Sequence, residues 1–119
     1  FSTCKNIHLL DPIYEPHIVN WLRSNARVYI HGHSAGGTNP SLVEAMNLSL
    51  PILAFDCVYN RATTEEKCLY WKTSDDLQDL MKNESDKFEK IASEMGEAGK
   101  HLYSWEKIAR QYNKLYKKR

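Results

Sequence analysis

Several features that would assign this sequence to a functional class are missing. Its three cysteines are odd in number and include no Cys-x-x-C pair, so we expect buried or half-buried free thiols in a reducing compartment, not a disulfide framework. No apolar run is long enough to cross a membrane, and the start of the chain lacks a signal-peptide pattern. These absences favour a cytoplasmic protein.

Excess charge and metal ligands are also lacking. A net charge of +1 gives no electrostatic reason to expect nucleic acid as a partner. His31 and His33 lie two positions apart, but no third ligand is close in sequence, so no metal site is predicted. The hydrophobic share of 42% and the charged share of 26% are those of an ordinary soluble globular protein.

The length of 119 residues suffices for one domain with a modest core but not for two. Phe1 stands where an initiator methionine would, and the first strand-like stretch follows almost at once. We therefore expect residues 1–119 to form a single, partial domain of a longer protein.

Strand-like and helix-like patterns alternate through most of the chain. The segment 50–56 is the clearest strand, because it is apolar on both faces, as a central parallel strand is. Strands are predicted at 6–10, 26–31, 50–56 and 68–71, and helices at 16–25, 40–48, 74–83, 86–99 and 104–119. This alternation predicts an α/β fold, a Rossmann-like parallel sheet with right-handed crossovers and flanking helices, ending in C-terminal helices.

Local signals add detail to this outline. Ser74 is the expected N-cap of the helix that follows the last strand. Trp21, Trp71 and Trp105 fall at apolar positions, so we expect them in the core and not as platforms for sugar stacking. The segment 60–67, NRATTEEK, has the composition of a solvated, charged loop.

One segment, VYIHGHSAGGTNPSLVEAM at 28–46, contains GHSAG, a match to the G-x-S-x-G of serine hydrolases. In those enzymes the serine, here Ser34, stands at a strained turn and a helix begins immediately behind it. A helix starting there would carry Pro40 in its second turn, where proline lacks the amide hydrogen and collides with the preceding turn. The helix-start signals are instead Asn39 as N-cap and Pro40 at the first helical position.

A hydrolase triad would lack a well-placed histidine. Asp56, at the end of a predicted strand, could supply the acid. The only histidine after the serine is His101, which we expect to be exposed at a turn between two helices. A hydrolase with Ser34 as nucleophile is therefore the less favoured alternative.

The glycine loop also fits an anion-binding role. A flexible GGTN stretch at the carboxyl end of a strand, leading into a capped helix, exposes backbone amides at the positive end of the helix dipole. Ligands of open parallel sheets bind at this edge. Glu44, one turn into the helix, adds a carboxylate that can accept paired hydrogen bonds from a ribose diol.

SAGGTNPSLVEAMNLSLPILAFD, residues 34–56, resembles the donor-binding segment of the retaining, family-4 glycosyltransferases, which have two Rossmann domains (the GT-B fold). YIHGHSAGGTNPSLVEAM, residues 29–46, looks most like the bacterial rhamnosyltransferase-type branch. SWEKIARQYNKLY, residues 104–116, is similar to the closing helix of such enzymes. The resemblance covers nearly the whole chain and implies a partial C-terminal, nucleotide-sugar-binding domain, without the N-terminal acceptor domain.

The resemblance implies a donor site residue by residue. Glu44 matches the second family glutamate, which binds the nucleotide ribose. In the family, a loop wraps the donor sugar and diphosphate, and the first turn of the next helix is directed at the phosphates. The loop corresponds here to Gly36, Gly37, Thr38 and Asn39, and the helical turn corresponds to Ser41 and Leu42.

One position departs from the family pattern. The first family glutamate, eight positions before Glu44, falls on Gly36. The hydroxyls of the donor sugar must then be bound by another group, and His33 and Ser34 are the candidates. The resemblance assigns no catalytic residue in this chain.

The resemblance also implies the chemistry of the parent enzyme. Its substrate is a dTDP-, UDP- or GDP-sugar, and it needs no cofactor or metal where a helix dipole and basic side chains neutralise the departing diphosphate. The sugar, such as rhamnose, passes to a saccharide or lipid-linked acceptor in the biosynthesis of cell-surface polysaccharide. The basic tail KLYKKR, residues 114–119, fits peripheral contact with the inner face of a membrane.

The isolated chain should have at most weak nucleotide affinity, because the Arg and Lys that family members carry upstream in this domain are missing. It should not transfer sugar, because the acceptor domain is missing. A third alternative, beside the transferase and the hydrolase, is a non-catalytic Rossmann-like regulatory or interaction module.

Overall fold

A small parallel sheet lies at the centre of the computed structural model, which describes residues 3–117. Its strands are β1 (Tyr29–His31), β2 (Ile52–Phe55) and β3 (Leu69–Trp71), and β2 is the central one. Tyr29 pairs with Ile52 in the first ladder, and Leu53 pairs with Leu69 in the second. All three strands therefore end at the same edge, the carboxyl edge of the sheet.

Helices connect and flank the strands. They are α1 (Pro16–Ser24), α2 (Pro40–Asn47), α3 (Val58–Thr63), α4 (Ser74–Asn83), α5 (Phe88–Tyr103) and α6 (Trp105–Lys117), with one 3-10 turn at Ser85–Lys87. None of the helices in the described range 3–117 is long and apolar enough to cross a membrane. The predicted α/β class, with its parallel sheet, flanking helices and helical C-terminal part, is confirmed.

The core forms between β2, α2 and α5. Ile52, Leu53 and Ala54 of β2 are completely buried, as expected for a central strand with apolar residues on both faces. The buried side chains that α2 and α5 contribute to the same cluster are Leu42, Ala45, Met46, Ile91, Met95 and Ala98. This cluster holds α2 in place and thereby fixes where its N-terminus points.

The prediction of a strand at 6–10 is wrong. Residues 7–10 have no regular secondary structure, and their apolar side chains are exposed, with Leu9 at 73% and Leu10 at 65%. A strand requires a partner that supplies hydrogen bonds, and in the described range the segment pairs with no strand. The sheet consequently has three strands and not the predicted four.

Three further expectations need correction. Residues 58–63 form the short helix α3, which overlaps the segment 60–67 expected to be a solvated loop, and Asn60 and Thr63 of this helix are buried. The cap of α4 is Thr73, which forms a capping box with Asp76, and not Ser74. Helix α5 continues through His101 to Tyr103, although His101 is exposed as predicted.

The burial of some aromatic and cysteine side chains also differs from expectation. Trp21 is 65% exposed and Trp105 is 83% exposed, so neither is a core residue. Trp71 is half-buried, and its indole N–H donates to the carbonyl of Leu53. The three thiols are free, but Cys4 is exposed, whereas Cys57 is half-buried and Cys68 is buried.

Candidate functional site

The segment between β1 and α2, residues 32–39, is the centre of the candidate site and is called the glycine loop below. It leaves the carboxyl edge of the sheet and enters α2 at Asn39. The side-chain oxygen of Asn39 accepts a hydrogen bond from the amide of Ser41 at 2.9 Å, and Pro40 occupies the first helical turn. The predicted start of α2 is therefore confirmed.

The backbone of the glycine loop is turned and open. Gly36 has φ +98° and Gly37 has φ +77°, in the left-handed region that favours glycine. A Cβ atom built on either residue would meet no heavy atom within 4 Å. A ligand can therefore reach this backbone from the side on which a side chain would project.

The backbone amides of the glycine loop are available as hydrogen-bond donors. Within residues 3–117, no amide from His33 to Thr38 donates a hydrogen bond. The amides of Ser41 and Leu42, by contrast, donate to the side chain and carbonyl of Asn39. The donors free for a ligand are therefore those of the loop and not those of these two helical residues.

Helix α3 supports the glycine loop at both ends. The side-chain amide of Asn60 donates to the carbonyl of His33 at 2.8 Å and to that of Phe55, the last residue of β2, at 2.9 Å. The hydroxyls of Thr63 and Thr38 are 3.4 Å apart. Sequence patterns did not indicate either support, because both contacts join residues more than 20 positions apart.

Glu44 lies on the exposed side of α2. Its side chain is 57% exposed and forms an ion pair with Arg23 of α1 through one carboxylate oxygen, Oε2. The same glutamate and Thr38 line a groove of about 480 Å³ with Tyr103, Trp105 and other residues of α2 and α6. The structure thus brings the end of the glycine loop and Glu44 to one groove.

His31 is a buried polar residue directly before the glycine loop. It is 2% exposed, and its Nε2 has no hydrogen-bond partner within the described residues. Its ring stacks on those of Tyr29 and His33, with centroids 6.0 Å and 5.2 Å away. Burial lowers the pKa of His31, and a charge on His33 would lower it further.

A second cavity, of about 590 Å³, follows the chain from Tyr29 to Ala35. It includes His33 and Ser34, the candidates for contact with a donor sugar, and both residues are exposed. Their backbone lies at the carboxyl end of β1, next to the glycines. Their side chains are accessible to a ligand that occupies the loop.

The arrangement required for a serine hydrolase is not formed. Helix α2 begins at Pro40 and not directly behind Ser34. Asp56 accepts two hydrogen bonds from Arg61, at 2.6 Å and 3.0 Å, which hold the pKa of its carboxyl below the usual range. In the range 3–117, Ser34, Asp56 and His101 share no hydrogen bond.

No protein-family model, curated protein or solved structure matches the chain. Metal ligands do not assemble either, since residues 3–117 contain no group of three His, Cys, Asp or Glu side chains placed to hold an ion. The geometry of the glycine loop and of Glu44 is therefore the basis for the functional proposal.

Proposed function

We propose that this chain is the nucleotide-sugar-binding part of a glycosyltransferase, and that the glycine loop binds the diphosphate of the donor. The observation that carries the proposal is the set of unpaired amides from His33 to Thr38, next to the N-terminus of α2. Backbone amides and the positive end of a helix dipole are a recurrent phosphate site in proteins. The position at the carboxyl edge of a parallel sheet supports the same assignment.

Glu44 is the proposed ribose ligand. Its Oε2 accepts a hydrogen bond from Arg23, whereas its Oε1 has no hydrogen-bond partner within residues 3–117 and lies on an exposed side chain. A ribose hydroxyl can therefore donate to Oε1 while the ion pair persists. Arg23 then contributes a positive charge close to the nucleotide, which favours a diphosphate electrostatically.

The proposed reaction of the parent enzyme is transfer of a sugar, such as rhamnose, from a dTDP-, UDP- or GDP-linked donor. In that reaction the loop amides stabilise the negative charge that develops on the departing diphosphate. The acceptor is a saccharide or a lipid-linked saccharide held by residues outside this chain. We propose no role for a metal or a cofactor in this reaction.

The proposal includes contact with the inner face of a membrane, where a lipid-linked acceptor would reside. Helix α6 exposes Tyr112, Leu115 and Tyr116 on one side and carries Lys114 and Lys117 near its end. Such an amphipathic helix with basic residues can lie on an anionic surface. Lys118 and Arg119, which extend the basic tail, are outside the described residues.

The ribose assignment predicts a specific loss of affinity. In a ligand-detected NMR screen against UDP, GDP and dTDP, we expect the chain to bind at least one diphosphate weakly. Glu44→Ala should weaken that binding by about 10-fold, since it removes a hydrogen bond to a charged acceptor. Glu97→Ala, on the exposed side of α5, is the matched control and should bind like the wild type. Equal affinity in both variants would contradict the role of Glu44.

A further inference from the structure

Asn60 occupies an unusual place between two strand ends. Its side chain belongs to a helix, is 2% exposed, and uses its amide nitrogen to bond the carbonyls of His33 and Phe55. His33 follows β1, and Phe55 ends β2. One amide group therefore ties the start of the glycine loop to the central strand of the sheet.

The bond to the carbonyl of His33 also fixes the direction of a loop amide. All peptide bonds in the described range are trans. In a planar trans peptide, the carbonyl of one residue and the N–H of the next point in opposite directions. Because the carbonyl of His33 faces Asn60 on α3, the N–H of Ser34 points away from α3, and it has no acceptor among residues 3–117.

We infer that Asn60 is a positioning residue for the proposed diphosphate site, because its two hydrogen bonds hold the glycine loop in the conformation that presents unpaired amides. The inference rests on the proposed function. The loop is held at His33 by Asn60 and at Thr38 by Thr63. Between these two points, a Cβ atom placed on Gly36 or Gly37 would meet no heavy atom within 4 Å. A loop held at both ends loses less conformational freedom when a ligand binds, so its affinity is higher.

The test compares Asn60→Ala with Thr64→Val by NMR in the ligand-free protein and with added UDP, GDP or dTDP. Thr64, the C-cap residue of α3, is the matched control, because it is completely buried and its hydroxyl bonds the carbonyl of Asn60 and the hydroxyl of Tyr70, not the loop. Both variants should lower the melting temperature. Only Asn60→Ala should make the amides of residues 34–38 more mobile and weaken diphosphate binding by at least about 10-fold.

The outcomes separate this inference from the proposed function. Unchanged loop mobility and affinity in Asn60→Ala, or equal changes in Thr64→Val, would overturn the positioning role. If the wild type binds none of the three diphosphates, the proposed function fails, while the mobility of the ligand-free loop still decides whether Asn60 orders it. If Asn60→Ala does not fold, the inference is tested in the wild type by measuring scalar couplings across the two hydrogen bonds of Asn60. The absence of these couplings would overturn the inference.

Discussion

His31 shows how burial changes the chemistry of one side chain in this fold. Its imidazole is buried and stacks on the rings of Tyr29 and His33, and no residue from 3 to 117 forms a hydrogen bond with its Nε2. The charged form of a side chain loses more hydration energy on burial than the neutral form does. The folded protein therefore favours neutral His31, and the pKa of His31 lies below its ordinary value of 6.5.

This pKa shift predicts a loss of stability in acid. Below about pH 6.5 the unfolded state binds a proton at His31 that the folded state does not bind, so the free energy of unfolding decreases as the pH falls toward the folded-state pKa. Urea unfolding on either side of pH 6.5 measures the effect. His31→Phe should reduce the pH dependence. An identical pH dependence in the wild type and His31→Phe would contradict the prediction.

At the scale of elements, the packing of α2 and the turn behind it on α5 depends on two glycines that the apolar pattern did not reveal. A Cβ on Gly96 would lie 2.1 Å from the hydroxyl oxygen of Ser49, and one on Gly99 would lie 2.5 Å from the side-chain oxygen of Asn47. The Gly99 position also meets backbone atoms of α2 at 3.2 Å. The two helices are therefore as close as glycine allows, which positions α2 and its N-terminus.

Gly99→Ala should consequently destabilise the protein although alanine is the better helix former. An exposed helical Gly→Ala change stabilises by about 0.5–1 kcal/mol. At residue 99 the added methyl group must move the backbone of α2, with a cost of about 1–3 kcal/mol. Chemical unfolding measures the net change, and Glu97→Ala on the exposed side of α5 serves as control. A Gly99→Ala protein more stable than the wild type would show that the helices are not in close contact there.

The elements that sequence reasoning located correctly are those with local signals. Asn39 and Pro40 mark the start of α2 because capping involves only the first turn of the helix. The strand expected at 6–10 failed because strand formation depends on a partner elsewhere in the chain. Asn60 was missed for the same reason, since its hydrogen bonds reach His33 and Phe55, and no periodic pattern encodes such contacts.

At the scale of the whole molecule, the buried apolar side chains are unevenly distributed. The core lies around β2, α2 and α5, while α1 and α6 contain no buried residue. The Cα radius of gyration is 16.2 Å, compared with about 13.5 Å for a compact domain of this length. The apolar patterns of α1 and α6 correctly predicted helices, but they did not indicate that Trp21 and Trp105 would be exposed.

This distribution predicts a gradient of local stability. Hydrogen exchange should be slowest in the amides of β2 and of the buried faces of α2 and α5, because these open only with the core. The amides of α1 and α6 should exchange by local opening, much faster and with little dependence on global stability. If the amide hydrogens of α6 exchanged as slowly as those of Ile52–Phe55, the predicted difference in local stability between α6 and the core would be contradicted.

The most direct test of the central claim is a titration of the isotope-labelled chain with inorganic pyrophosphate, followed through backbone amide resonances. The account predicts that the largest shifts occur at residues 34–38, whose amides have no acceptor in the described part of the chain, and that β3 and α4 remain unchanged. Shifts confined to the lysines of α6, or no shift in the glycine loop at millimolar pyrophosphate, would contradict the claim that this loop binds a diphosphate.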